Sequence, residues 1–87
     1  LLSGKTVLVD FYADWCGPCR MVSPIVEEIS EEREDIKVCK VNVDSEPALA
    51  ARFSVSSIPA LMVFKDGKAV RSEVGAAPKT AILSMLE

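Results

Sequence analysis

The spacing of apolar positions changes along this chain, and each change predicts a new element. Residues 6–13 are almost continuously apolar, with Val7-Leu8-Val9 and Phe11-Tyr12 either side of Asp10. Such a run predicts a strand covered on both faces, as in a parallel sheet. From Cys19 to about Glu32 the spacing turns helical. Met21, Val22, Ile25, Val26 and Ile29 fall on one side, and Glu27, Glu28, Glu31 and Glu32 on the other. Pro24 lies inside this helix, removes one backbone donor and predicts a kink. Ile36 to Val43 is β-branched and reads as a second strand. Pro47 suits the first turn of a short helix, capped by Asp44 or Ser45 and ending at Arg52 or Phe53. Ala60 to Lys65 is a third strand. Asp66-Gly67 signals a hairpin, and Lys68 to Val74 returns antiparallel. Gly75 breaks that strand, and Pro78 opens a last helix with Ile82, Leu83 and Leu86 as its stripe. Near the start, Gly4-Lys5 reads as a turn.

The order β-α-β-α-β-β-α predicts an α/β fold, with right-handed parallel crossovers and a terminal antiparallel hairpin. The result is a mixed central sheet flanked by helices. At 87 residues the chain has length for a single domain, residues 1–87, and it shows no internal repeat or linker. Apolar residues make up 49%, which fits a compact core and excludes disorder. A net charge of −3 with no basic stripe excludes nucleic acid as the main partner. The longest apolar run, Ala60 to Phe64, cannot span a bilayer, so no membrane partner is expected. No charged n-region followed by a hydrophobic stretch opens the chain, so no signal peptide is expected. Three cysteines, one close pair and one spare, are unlike a secreted disulfide framework. They point to a reducing compartment, the cytoplasm.

The densest chemistry is Trp15-Cys16-Gly17-Pro18-Cys19, at the boundary between the first strand and first helix. A disulfide closing so short a loop restrains the unfolded chain very little. The pair is therefore read as reversible chemistry rather than a staple.

The chain resembles the thioredoxin family over nearly its whole length. The likeness is carried by Val9-Asp10-Phe11-Tyr12-Ala13-Asp14-Trp15-Cys16-Gly17-Pro18-Cys19-Arg20, by Pro24, and by Lys40-Val41-Asn42-Val43-Asp44. It continues through Ile58-Pro59, Phe64-Lys65-Asp66-Gly67 and Val74-Gly75. The resemblance implies a thioredoxin-like fold and a thiol–disulfide oxidoreductase that reduces protein disulfides. It also implies no bound cofactor, re-reduction by a flavoprotein thioredoxin reductase using NADPH, and a monomer. Two departures stand out. Thioredoxins usually begin with another strand and helix, of which only a last turn could remain, in Leu1 to Ser3. Without them the Ile36 to Val43 strand becomes a sheet edge, open to self-pairing. Ala60 also follows the proline where many relatives place Thr, which bears on specificity.

Disulfide exchange needs a thiolate, and a helix N-terminus favours one. Cys16 is expected at the exposed helix start as nucleophile, with Cys19 as the resolving thiol. Gly17 allows a tight backbone, and Pro18 pre-sets the first helical turn. Oxidising and isomerising relatives often carry a His between the cysteines, and this chain has none. Asp10, inside an apolar strand, should have its pKa raised by burial and take the proton of Cys19. The resemblance gives it the same role and places Lys40 beside it. It implies a cis Ile58–Pro59 bond, with Pro59 packed by the cysteines and the Ile58 backbone open to an extended substrate. Trp15, Gly75 and Ala76 would complete an apolar platform around Cys16. Cys39 reads as a structural thiol, and the acids from Glu27 to Asp35 as a solvated face. Three other readings stay open: a non-catalytic binding scaffold, an oxidase or isomerase, and a metal module. The last is poorly supplied, with three cysteines and no His.

Overall fold

The computed structural model describes residues 6–87. The expected Gly4-Lys5 turn and the helical remnant at Leu1 to Ser3 lie outside the described residues. The elements are β1 (Thr6–Tyr12), α1 (Gly17–Glu32), β2 (Ile36–Asn42), α2 (Pro47–Arg52), β3 (Ala60–Lys65), β4 (Lys68–Val74) and α3 (Lys79–Met85). The four strands form one sheet in the order β2-β1-β3-β4.

The continuous apolar run of β1 is explained by its central place, with strands on both sides and side chains covered on both faces. Its alternate residues divide the core. Leu8 joins Val22, Val26 and Ile29 of α1 and Ile82 and Met85 of α3. Val7, Val9 and Phe11 point the other way, with Phe64, Cys39 and Val41, and Phe53 packs against them. The Phe53 ring contacts Phe11 at 6.1 Å and Phe64 at 5.4 Å between centroids. Asp10 shares the α1 face with Leu8, since side chains alternate along a strand.

β1 and β2 run parallel, the crossover expected for β-α-β. The next connection departs from that expectation, because β3 runs antiparallel to β1. The length of α2 gives the reason. Its six residues rise about 9 Å, whereas a seven-residue strand spans about 23 Å. Such a helix cannot carry the chain back along the sheet, so β3 starts near the end where β2 finished. β3 and β4 form the expected antiparallel hairpin. Asp66 and Gly67 both have positive φ, 53° and 79°, the geometry required by a tight two-residue hairpin turn.

The first two strands end one residue early, at Tyr12 and Asn42, and two helix starts differ from expectation. α1 begins at Gly17, two residues earlier than the apolar spacing shows, and runs unbroken past Pro24. α2 has Glu46 at its N-cap, with no side-chain cap bond, instead of Asp44 or Ser45. The Asn42 carboxamide explains this. Its Oδ1 accepts from the backbone N–H groups of both Asp44 and Ser45, which closes a turn before the helix.

Among the described residues β2 is a sheet edge. Beside it, on the α2 face, lies an apolar groove of about 390 Å³ walled by Val9, Phe11, Cys39, Val41 and Phe53. No described helix is long and apolar enough to cross a membrane.

Candidate active site

The turn between β1 and α1 places the cysteine pair. Cys16 N–H donates to Ala13 O at 3.2 Å, and Arg20 Nη2 donates to Asp14 O at 3.0 Å, so the loop is tied at both ends. Cys16 is the N-cap of α1, with extended φ and ψ. Its Sγ accepts from the backbone N–H of Cys19 at 3.2 Å. Sulfur thus takes the place that a Ser or Asp oxygen fills in an ordinary N-cap. Pro18 has no N–H to offer, which leaves the Cys19 amide as the donor aimed at this atom.

Cys16 and Cys19 form a disulfide, with Cα atoms 5.3 Å apart. Cys16 sits at the helix start as expected, but it is not exposed. It is 4% accessible, against 1% for Cys19. Ala13, Tyr12, Val43 and Ile58 pack around the sulfur pair and cover it. Its neighbours Trp15, Gly17 and Pro18 are exposed, so the surface next to Cys16 is open.

Trp15 is 69% exposed, which rejects a core-packing role. Its indole Nε1 donates to Asp44 Oδ2 at 2.8 Å. The Ile58–Pro59 bond is cis. Ile58 packs on the cysteine cluster, while Pro59 is buried and its carbonyl accepts from Gly75 N–H at 2.8 Å. That bond brings Gly75, with φ of 102°, and the exposed Ala76 to the same end of the sheet as Ile58. Ala76 also lines a shallow apolar groove with Met21, Ile25, Ala77 and Pro78.

Asp10 is completely buried, and neither carboxyl oxygen has a hydrogen-bond partner among the described residues. Burial raises its pKa from 3.8 to about 6; Lys40 opposes the rise and Glu27 adds to it. Lys40 pairs in register with Asp10 across the parallel ladder, which puts both on the α1 face. The Lys40 ammonium lies 5.3 Å from the Tyr12 ring centroid and 3.9 Å from Glu27 Oε2. A groove of about 460 Å³ opens here, lined by Tyr12, Cys19, Ser23, Glu27 and Lys40 among others.

The residues named from sequence thus form two groups. Trp15, Gly17, Pro18 and Ile58 flank the Cys16–Cys19 pair, and the Pro59–Gly75 bond sets Gly75 and Ala76 at the same end of the sheet as Ile58. Asp10 and Lys40 lie along the sheet on the Cys19 side. Sequence reasoning missed Asp44 and Glu27. From sequence alone Asp44 reads as a helix cap. Glu27 was read as part of a solvated face, although it follows Cys19 and Ser23 at successive four-residue steps. The acidic stretch is exposed but engaged: Lys79 pairs with Glu28 and with Glu32, the latter at 2.7 Å, and Arg33 holds Asp35 with two bonds.

The family model for thioredoxin matches residues 1–87. The chain belongs to the thioredoxin family. It is 52% identical to thioredoxin 1 of Synechococcus elongatus over 88 residues, covering all of this chain and 82% of that protein. It is 57% identical to thioredoxin of Pyropia yezoensis over 81 residues, 92% of this chain and 76% of that one. Among solved structures, Fasciola hepatica thioredoxin superposes with a TM-score of 0.91 at 38% identity, covering 97% of this chain and 80% of that one. Oxidised mitochondrial thioredoxin 3 of Saccharomyces cerevisiae gives 0.87 at 31%, covering 95% and 77%. The thioredoxin-like α/β fold and the redox-active cysteine pair are therefore those of the family, and the chain is a dithiol–disulfide oxidoreductase. Members of the family act on disulfide substrates, have a reductase partner and generally carry no cofactor. No cluster of three or more His, Cys, Asp or Glu that could hold a metal ion occurs among the described residues.

Proposed function

We propose that Cys16 is the nucleophile, Cys19 the resolving thiol and Asp10 the proton acceptor in reduction of protein disulfides. The observation that carries this reading is the N-cap bond from the Cys19 amide to Cys16 Sγ. In the reduced protein the same donor and the helix dipole favour a thiolate at Cys16. That thiolate attacks one sulfur of a substrate disulfide. A mixed disulfide forms and the other substrate sulfur leaves as a thiolate. Cys19 then gives its proton to Asp10 and attacks Cys16 Sγ, closing the intramolecular disulfide and releasing the second substrate thiolate. Asp10 suits the step because its carboxyl is uncommitted and its pKa, about 6, lets it hold or lose a proton near neutrality. Lys40, in register beside it, tunes that charge.

The Ile58 backbone, beside the cysteines, pairs with an extended substrate segment, and Trp15, Gly75 and Ala76 supply apolar contact. Gly17 and Pro18 form the open flank of Cys16. All reacting groups come from one chain, so the monomer is the working unit. The electron source is NADPH through a flavoprotein thioredoxin reductase. The compartment is the cytoplasm, as the unpaired Cys39 thiol suits reducing conditions. The test is Cys19→Ser. That variant should accumulate substrate proteins as mixed disulfides through Cys16, released by dithiothreitol. Recovery of none, with Cys16 alkylatable in the folded variant, overturns the assignment.

A further inference from the structure

Glu27 is the one acid of α1 ion-paired to Lys40 among the described residues. Residues at i and i+4 stack on one side of a helix. Cys19, Ser23 and Glu27 therefore form a row, and all of them line the groove beside Asp10 and Lys40. Across the groove, Lys40 has three electrostatic neighbours among the described residues. They are the Glu27 carboxylate at 3.9 Å, the Tyr12 ring at 5.3 Å and the register partner Asp10.

We propose that Glu27 is a positioning residue of the exchange reaction. By holding the Lys40 ammonium at the groove, it limits the pull of that cation on Asp10. It thereby sets the pH range over which the Cys19 proton is taken. This inference rests on the Asp10 assignment made above.

Asp10 faces groups from each neighbouring element. β2 supplies Lys40, and α1 supplies Glu27 and the Cys19 sulfur. β1 supplies Tyr12 two positions on, and β3 places the apolar Leu61 opposite. Asp14 and Arg20 stand at the far rim of the groove, with the Arg20 guanidinium committed to Asp14 O. Glu31, one turn beyond Glu27, lines an adjoining groove with Lys40 but makes no ion pair to it. Glu27 thus acts on Asp10 in two ways of the same sign. Its negative charge opposes ionisation directly, and it draws the cation toward itself. Both effects keep the proton on Asp10 to higher pH. Because the pair is partly exposed, both weaken as salt is added.

The test is a 13C titration of the Asp10 carboxyl in the reduced protein, beside the pH profile of single-turnover reduction of a protein disulfide. In Glu27→Gln the Asp10 midpoint should fall by roughly a few tenths of a pH unit at low salt. The acid limb of the rate profile should move with it. The shift should shrink in a Lys40→Met background, and Glu31→Gln should give less than half of it. An unmoved Asp10 midpoint overturns the role of Glu27. So does an equal shift with or without Lys40, or an equal shift from Glu31→Gln. If the carboxyl midpoint moves while the rate profile stays put, Asp10 is not the proton acceptor. The earlier assignment then fails, although Glu27 still controls the carboxyl.

Discussion

Trp15 and Asp44 meet across 29 positions of chain, with the indole Nε1 donating to Asp44 Oδ2 at 2.8 Å. The bond fixes an exposed aromatic ring next to a redox-active sulfur. Asp44 is held in turn by the Asn42 side chain through its own N–H. Strand β2 therefore supports the Trp15 side of the sulfur pair as well as the Asp10 side. Asp44→Ala should leave stability nearly unchanged, since both groups are exposed. It should raise KM for a protein disulfide by roughly two- to tenfold, the worth of one hydrogen bond. Trp15 is the only tryptophan, so fluorescence anisotropy reports its freedom directly. A slower, more ordered indole in the variant would contradict the account.

Asp10 should make the protein less stable as pH rises. Its folded pKa, about 6, lies above the unfolded value of 3.8. The folded state therefore binds more protons between those values. The contribution of the group is fully present below pH 3.8 and is lost as pH rises through about 6. A displacement of that size corresponds to about 3 kcal/mol. Denaturant titrations at pH 3 and pH 8 should show this loss as the difference between the native sequence and Asp10→Asn, since the other carboxylates titrate alike in both. Parallel stability profiles for the two proteins would show that the carboxyl titrates normally.

The three thiols should differ in reactivity once the disulfide is reduced. Cys16 receives an amide donor at a helix N-terminus, whereas Cys39 is half-buried in the middle of β2. At pH 7, iodoacetamide should modify Cys16 at least about tenfold faster than Cys39. Peptide mapping after a short pulse gives the ratio, and equal labelling would remove the helix-terminus argument.

Lys79 joins α3 to α1 through Glu28 and Glu32. Lys79→Met should lower the melting temperature at low ionic strength. The difference from the native chain should close in roughly 0.5 M salt, because exposed pairs are screened. A difference that persists in salt would mean that the aliphatic stem, not the charge, joins the helices.

Much of the fold is legible in the chain because its signals are local. The nearly continuous apolarity of β1 reports a central strand, and Asp66-Gly67 reports a turn that demands positive φ at both residues. Val22, Val26 and Ile29 of α1 are buried at helical spacing, but Met21, expected with them, is exposed, because its turn position puts it between Glu28 and Glu32 on the solvent side. The Cys16-Gly17-Pro18-Cys19 sequence is enough to name the chemistry. The direction of β3 is not readable in this way. It follows from the short reach of α2, and a crossover pattern hides that length.

What the sequence determined, then, is composition and local preference: which residues are apolar, which turn, and which thiols can react. What tertiary structure decided is who faces whom. Cys16 is buried because Tyr12, Val43 and Ile58 arrive from three different segments. Asp44, held in a turn by Asn42 rather than capping α2, meets Trp15 from a distant segment, and Glu27 reaches Lys40 because β2 lies alongside α1. Pairings of this kind depend on strand order and on which face of the sheet a side chain occupies. Those are properties of the closed packing, and no stretch of neighbouring residues encodes them alone.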